Sequence, residues 1–228
     1  MNIQKAYRLS CVTALLSISS LVAFGQSADE AAARLAKSNA ELEARATEWV
    51  SGLNLNDAQK ADRLEEVIAT HLKAVRDWNN AHPATEVPAG INPTTGQKLS
   101  DLERQIIVNS AKPESVHENL MAGLRKDLSE EQVAQILDEY TIGKVDFTMK
   151  GYRAIVPDLT DKEAADIRAL LEQAREQAID FKSMKQISGI FEIYKSKAEQ
   201  YLNNNGRSWR QLFKAYVDKR NAEKAAQK

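Results

Sequence analysis

The chain has 228 residues, 43% of them apolar and 28% charged, and a formal net charge of −1. This is too apolar for a disordered chain, and the near balance of charge excludes the clustered Lys and Arg excess with which proteins hold nucleic acid. Nine Gly and five Pro are few for a β-sandwich, which turns about every ten residues, so an all-α fold is favoured before any periodicity is considered.

Residues 1–25 stand apart. Lys5 and Arg8 make a basic start, residues 9–22 are largely apolar, and Ala23-Phe24-Gly25 supplies the small residues of a cleavage site. The pattern is that of a secretory signal peptide cut before Gln26, with Ala28 as an alternative boundary, and it places the mature protein in the periplasm or outside the cell. A membrane anchor is the competing reading, but the apolar run falls short of the roughly 20 residues a span needs. No stable membrane span is therefore expected after cleavage. A lipid anchor fits worse, since Cys11 opens the apolar run instead of following it. Cleavage removes the only cysteine, so the remaining 203 residues (228 less 25) must fold on their core, without a disulfide or a thiolate-bound metal. Without Lys5 and Arg8, 29 basic residues face 32 acidic ones, a charge of −3.

Residues 26–226 are expected to form one helical domain: a hairpin over 26–82, a loop over 83–99 and a helical core over 100–226. From 29 to about 51, Leu35, Leu42 and Trp49 recur every seven residues among Ala and charged residues, an amphipathic helix. After Gly52, Asn56 is a plausible N-cap for a second, in which Ala61, Leu64, Ile68, His71, Leu72, Val75 and Trp78 follow at helical spacing. A short link between two long helices implies an antiparallel pair. His71 lies on the apolar stripe with no second polar partner evident, which favours a partly buried, hydrogen-bonded core histidine over a functional one.

Pro83, Pro88, Pro93, Gly90 and Gly96 interrupt the pattern between 82 and 100. A loop of that length is either a lid or a mobile insertion, and the second is favoured. Two shorter helices follow. Ser100 caps the first with Glu103 completing the box, and Pro113 stands at the start of the other, over 114–126. His117 beside Glu118 lacks the spacing of helical metal ligands.

Leu128-Ser129-Glu130-Glu131-Gln132-Val133 reads as a capping box with a hydrophobic staple, and Leu159-Thr160-Asp161-Lys162-Glu163-Ala164 repeats the device. The second box launches a helix with Ile167, Leu170, Leu171, Ala174, Ala178 and Phe181 inward. Glu172, Glu176 and Asp180, four apart, share one side of it. With Arg168 and Arg175 nearby, those acids are expected to form a solvated, salt-bridged face in preference to a metal site. Between the boxes, Gly143 breaks TIGKVDFTMKGY, and a helix after a kink is the expected outcome because no second strand exists to pair with the run. Tyr140, Thr141, Lys150, Tyr152 and Arg153 then cluster at a junction between helices, where binding residues are often displayed. Ile187, Ile190, Phe191, Tyr194, Ala198 and Tyr201 mark the next helix, which stops at Asn203-Asn204-Asn205-Gly206. Ser208 with Gln211 opens the last, whose Trp209, Leu212, Phe213, Tyr216 and Val217 face one way. The architecture expected is an irregular bundle of about eight or nine helices, an N-terminal antiparallel pair followed by a C-terminal helical subdomain.

The ordered run TxGxVxxTxxGY, here Thr141, Gly143, Val145, Thr148, Gly151 and Tyr152, followed by AREQAxD at 174–180, resembles a helical family of secreted Gram-negative bacterial proteins, domain of unknown function 3826. The resemblance is clear over about a third of the chain. Its members often lie near polysaccharide-degradation genes, so it implies a link to polysaccharide utilisation. Where they tend to read GSS after the aspartate, this chain has Phe181-Lys182-Ser183, and where they read KGRINNYL it has KSKAEQYL at 195–202. A ligand site built there would be altered here, and the resemblance transfers no functional residue.

No catalytic signature is evident, and neither catalytic residues, metal ligands nor a cofactor are assigned. The first expectation is an exported, non-catalytic binding or accessory protein whose partners are carbohydrate or periplasmic proteins, with ligand-binding residues among Tyr140, Thr141, Lys150, Tyr152, Arg153, Arg175, Glu176 and Asp180. A periplasmic helical chaperone is the second. The third is a carbohydrate-active enzyme using a Tyr, Arg and carboxylate set, which requires a concave pocket holding those side chains with a perturbed carboxylate.

Overall fold

The computed structural model describes residues 10–226 except Thr94, and side chains from Asp29 onward. The first nine residues of the expected leader and all of its side chains lie outside the described residues. Among those described there are nine α-helices and no strand, the β-pairing being a single bridge between Ile91 and Lys98. The all-α class follows from the sparse turn residues and the helical periodicity, and it holds. None of the described helices is long and apolar enough to cross a membrane.

Helix α1 (Ser10–Ser51) and α2 (Ala58–Ala81) run antiparallel, because the partners pair in reverse order: Thr47 with Glu65, Glu43 with Lys73, and Asn39 with Arg76 at 2.7 Å. The turn between them uses Asn54 in the left-handed region, φ 51°. Asp57, not Asn56, caps α2. Asp57 has the extended backbone an N-cap needs, and its carboxylate accepts from the Lys60 amide at 3.0 Å. Beyond α2 the 83–99 loop makes one 3-10 turn (Ala84–Glu86) and is stapled to α3 (Asp101–Asn109) by two Arg104 bonds to the Val87 carbonyl, at 2.9 and 2.7 Å.

Capping boxes start α3 at Ser100/Glu103, α5 (Glu130–Thr141) at Ser129/Gln132 and α7 (Asp161–Ala178) at Thr160/Glu163, as their sequences require. A fourth, Ser183/Gln186, starts α8 (Met184–Asn204) and was not anticipated. Helix α4 (Glu114–Asp127) precedes α5, and α6 (Lys144–Ile155) follows it after a kink made by two successive left-handed residues, Ile142 at φ 50° and Gly143 at φ 63°. The expected helix after a kink therefore forms. Ile142, branched at Cβ, bears strain that Gly143 does not, and it sits 70% exposed. Helix α9 (Trp209–Ala226) closes the chain and contains no fully buried residue.

Apolar side chains form two core clusters. One joins α1, α2, α4 and α5 around Val50, Leu64, Ile68, Leu120, Leu124 and Ile136. The other joins α6, α7 and α8 around Val145, Met149, Ile167, Leu171, Ile190 and Leu202, with Trp209 and Leu212 of α9 against it. Ile179, just past α7, belongs to the first cluster while Ala174 and Ala178 belong to the second, so the end of α7 lies between the two. That helix stops at Ala178. Asp180 is thereby freed from the exposed face it was expected to share with Glu172 and Glu176.

Helices α2 and α4 approach closely where Gly123 faces Val67: a Cβ on Gly123 would come within 2.7 Å of Val67 Cγ1 and 2.8 Å of Cγ2. Both methyls of a stiff β-branched side chain would have to move. Gly123→Ala is expected to destabilise the protein by about 1–3 kcal/mol despite the better helix propensity of Ala, and adding Val67→Ala should recover part of the loss. Denaturant midpoints of the single and double variants measure both effects, and an unchanged Gly123→Ala midpoint would contradict the packing.

Candidate functional site

The eight candidate ligand residues do not share one site. Tyr140, Glu176 and Asp180 converge on a polar cluster between the two cores, and Lys150 and Tyr152 line a separate groove. Thr141 is fully buried, with its hydroxyl given to the Leu137 carbonyl at 3.1 Å. Arg175 leaves the acids of its own helix and pairs with Asp138 on α5 at 2.9 Å. Arg153 is exposed on α6 and lines neither depression.

The polar cluster is built on Asp180, whose release from α7 turns its carboxylate inward. One oxygen meets His71 Nε2 of α2 at 2.9 Å and the Lys112 ammonium at 3.3 Å; the other meets His117 Nδ1 of α4 at 3.0 Å. Lys112 also donates to the Asp180 backbone carbonyl at 2.8 Å. Behind His71, its Nδ1 lies 3.0 Å from the Tyr140 hydroxyl of α5. Beyond His117, its Nε2 lies 3.6 Å from Glu176. Four helices, α2, α4, α5 and α7, and two connections thus meet in one cluster, whose spine runs from Tyr140 through His71 and Asp180 to His117.

The protonation states follow from burial and partners. His71 is 3% exposed, and burial pushes its pKa below the ordinary imidazole value against the pull of Asp180. A neutral ring donating through Nε2 to Asp180 must accept at Nδ1, so the Tyr140 hydroxyl is the donor there. Burial alone would raise Asp180, but hydrogen bonds from His117 and His71 and the charge of Lys112 hold it well below the carboxylate range. His117 is raised, chiefly by its hydrogen bond to Asp180. Lys112 is lowered and Tyr140 is raised, each by burial first. The half-exposed edge of the cluster opens on a cleft of ≈ 580 Å³ whose walls include Ile106, Lys112, His117, Glu176, Asp180 and Tyr194. Among the described residues, no group of three or more His, Cys, Asp and Glu side chains is placed to hold a metal ion.

His71, His117 and Lys112 are the residues that sequence reasoning missed. His71 is the hydrogen-bonded core histidine expected, but its partners, Tyr140 and Asp180, were not evident. No local signal could have found them: His71 and Asp180 are 109 positions apart, Lys112 and Asp180 are 68 apart, and His117 and Asp180 are 63 apart.

The second depression, of ≈ 560 Å³, lies where α9 crosses α6. Trp209 stacks on Phe213 at 6.0 Å and 26° and meets Tyr152 at 5.3 Å. Tyr152 is fixed by donating its hydroxyl to the Lys195 carbonyl at 3.1 Å, and burial, then the charges of Glu199 and Glu192, raise its pKa. Phe147 is 75% and Phe213 47% exposed, so the groove is walled by aromatic faces left open. Lys150, Lys195 and Glu199 supply its polar groups. Glu199 is raised by desolvation.

A family model described as "Protein of unknown function (DUF3826)" matches residues 39–222. No curated protein matches the chain.

The cluster around Asp180 makes stability depend on pH with a definite sign. His71, lowered when folded, withdraws stability as pH falls below 6.5. Asp180, depressed, keeps its contribution above 3.8 and loses it as pH falls further. His117, raised, contributes fully below 6.5 and loses that contribution as pH rises through its shifted pKa. Asp180→Asn should cost about 2 kcal/mol at neutral pH and flatten the acid limb, whereas His117→Gln should remove the loss above 6.5. Urea denaturation from pH 3 to 9 decides this, and identical profiles for all three proteins would exclude the cluster as a stabilising unit.

Proposed function

We propose, for a chain that belongs to the DUF3826 family of proteins of unknown function, the role of an exported saccharide-binding protein whose ligand lies on the groove between α6 and α9. The observation that carries this reading is the aromatic wall of the groove, in which Trp209 stacks on Phe213 and leans on the buried Tyr152 while Phe213 and Phe147 leave their rings open to solvent. A sugar ring presents C–H groups on its faces and hydroxyls on its rim. Aromatic planes take the first by dispersion and desolvation, while Lys150 and Glu199 are placed to hydrogen-bond the second. The link to polysaccharide utilisation supports the choice of ligand and rests on the resemblance of the 141–180 motifs. The export component rests on the basic start, apolar run and small-residue boundary of residues 1–25.

Isothermal titration against a panel of neutral plant and algal oligosaccharides should detect a binder, with tryptophan fluorescence reporting the same event. Trp209→Ala and Phe213→Ala should each weaken it about tenfold, roughly 1.4 kcal/mol for a lost ring contact. Absence of heat with every member of the panel would count against the reading. Expression of the full chain in a bacterial host should yield periplasmic protein whose N-terminus is Gln26. Recovery of intact Met1 protein from the cytoplasm alone would refute export.

A further inference from the structure

We propose that the cleft beside α4 is a second, catalytic site in which His117, held by Asp180, serves as general base and then general acid in the hydrolysis of a carboxylic ester by water. This goes beyond saccharide binding at the α6–α9 groove and is independent of it. The geometry that carries it is a dyad facing an opening. Asp180 takes the Nδ1–H of His117 at 3.0 Å, which fixes the tautomer; Nε2 lies 3.6 Å from Glu176, and both side chains line the ≈ 580 Å³ cleft, where the imidazole is 25% exposed, so a water that displaces the long Glu176 contact reaches Nε2. Of the two imidazoles on Asp180, this is the one that a substrate can reach, since the His71 side chain is 1% exposed.

What stands behind the dyad argues for a role beyond stability. His71, itself held by Tyr140, and Lys112 grip the carboxylate from the far side, which keeps Asp180 against His117. Gathering a carboxylate, two imidazoles, an ammonium and a phenol between two apolar clusters is poorer for stability than packing apolar side chains there. It is suited to keeping one proton-transfer nitrogen oriented.

The substrate class follows from what the cleft contains. Ser110, at its wall, is committed to the Ile107 carbonyl at 2.6 Å, and no thiol lines it, so the nucleophile is water. One imidazole moves a proton near neutral pH, which suits an ester better than a glycoside, whose cleavage uses two carboxyl groups in complementary roles. Ile106, Phe181 and Tyr194 offer apolar surface for the acyl or alcohol portion. In the first step Nε2 takes a proton from water as the water oxygen bonds to the carbonyl carbon and the π pair moves to the carbonyl oxygen. The tetrahedral intermediate then re-forms the carbonyl and breaks the bond to the leaving oxygen, which receives the proton from Nε2. A carboxylic acid and an alcohol leave, and the imidazole is neutral again. Asp180 and Glu176, the latter at 3.6 Å, stabilise the intervening imidazolium. The charged and titratable groups that bear on His117 are Asp180, Glu176, Glu114, Lys112 and, behind Asp180, His71 and Tyr140.

The test uses the full chain with 4-nitrophenyl acetate as probe, following kcat/KM against pH. Activity should rise through an inflection above 6.5, the ordinary imidazole value. His117→Gln should lower kcat/KM by about 100-fold or more, and Glu176→Gln should move the inflection downward while leaving the circular dichroism spectrum and any saccharide binding unchanged. The proposal is overturned if His117→Gln, folded by the same criterion, retains the wild-type rate, or if the wild-type rate does not exceed that of free imidazole at equal concentration. Should His117→Gln not fold, an inflection unmoved by Glu176→Gln overturns it equally.

Discussion

The carboxylate of Asp180 is the constraint on which the two halves of the molecule depend. It lies where α7 has ended and before α8 begins, and from there it reaches α2 through His71, the α3–α4 connection through Lys112 and α4 through His117. Tyr140 extends the same chain to α5. A group so placed has no strong alternative orientation, because each of its oxygens is engaged and its own backbone carbonyl is held by Lys112. The apolar clusters on either side exclude much of the water that would otherwise compete for these bonds, which strengthens them and makes any missing partner costly.

A second charged junction sets the position of α9 and hence of the aromatic groove. Glu163 completes the capping box of α7 through Thr160 and also receives Arg207, at 2.7 and 2.8 Å, from the turn after α8. Arg207 reaches Asp158 as well, at 2.9 Å. The hydrogen bond from Arg207 is the chief reason that the Glu163 pKa is lowered to about 2. With the start of α7 and the start of α9 tied together, Trp209 is delivered onto Tyr152 of α6, and the groove follows from that contact. The Ile142–Gly143 kink lies at the opposite end of α6, one turn before the exposed Phe147.

The cleft and the groove differ in chemistry because they sit on different kinds of junction. The cleft lies between the two core clusters, where polar side chains from distant helices meet and hold their protons unequally. The groove lies on one cluster, where an amphipathic helix covers its neighbour incompletely and leaves ring faces exposed. Neither depends on the other for its walls, since the two depressions share no lining residue, so the binding proposed for one and the proton transfer proposed for the other are separable.

The sequence by itself determined most of the secondary structure. The boxes at Ser100, Ser129 and Thr160, the break at Gly143 and the apolar stripe of α7 are local facts, governed by hydrogen bonds three residues apart and by a period near four. It also placed Tyr140, Glu176 and Asp180 among the candidates, without showing that they meet. Only the tertiary structure decided that α7 stops at Ala178, that Arg175 turns to Asp138 instead of shielding its neighbours, and that His71 and His117 meet on one carboxylate. Those outcomes belong to contacts between residues more than thirty positions apart, and pairings of that kind leave no periodic trace in a single chain because they are selected by how helices pack, not by how each helix forms.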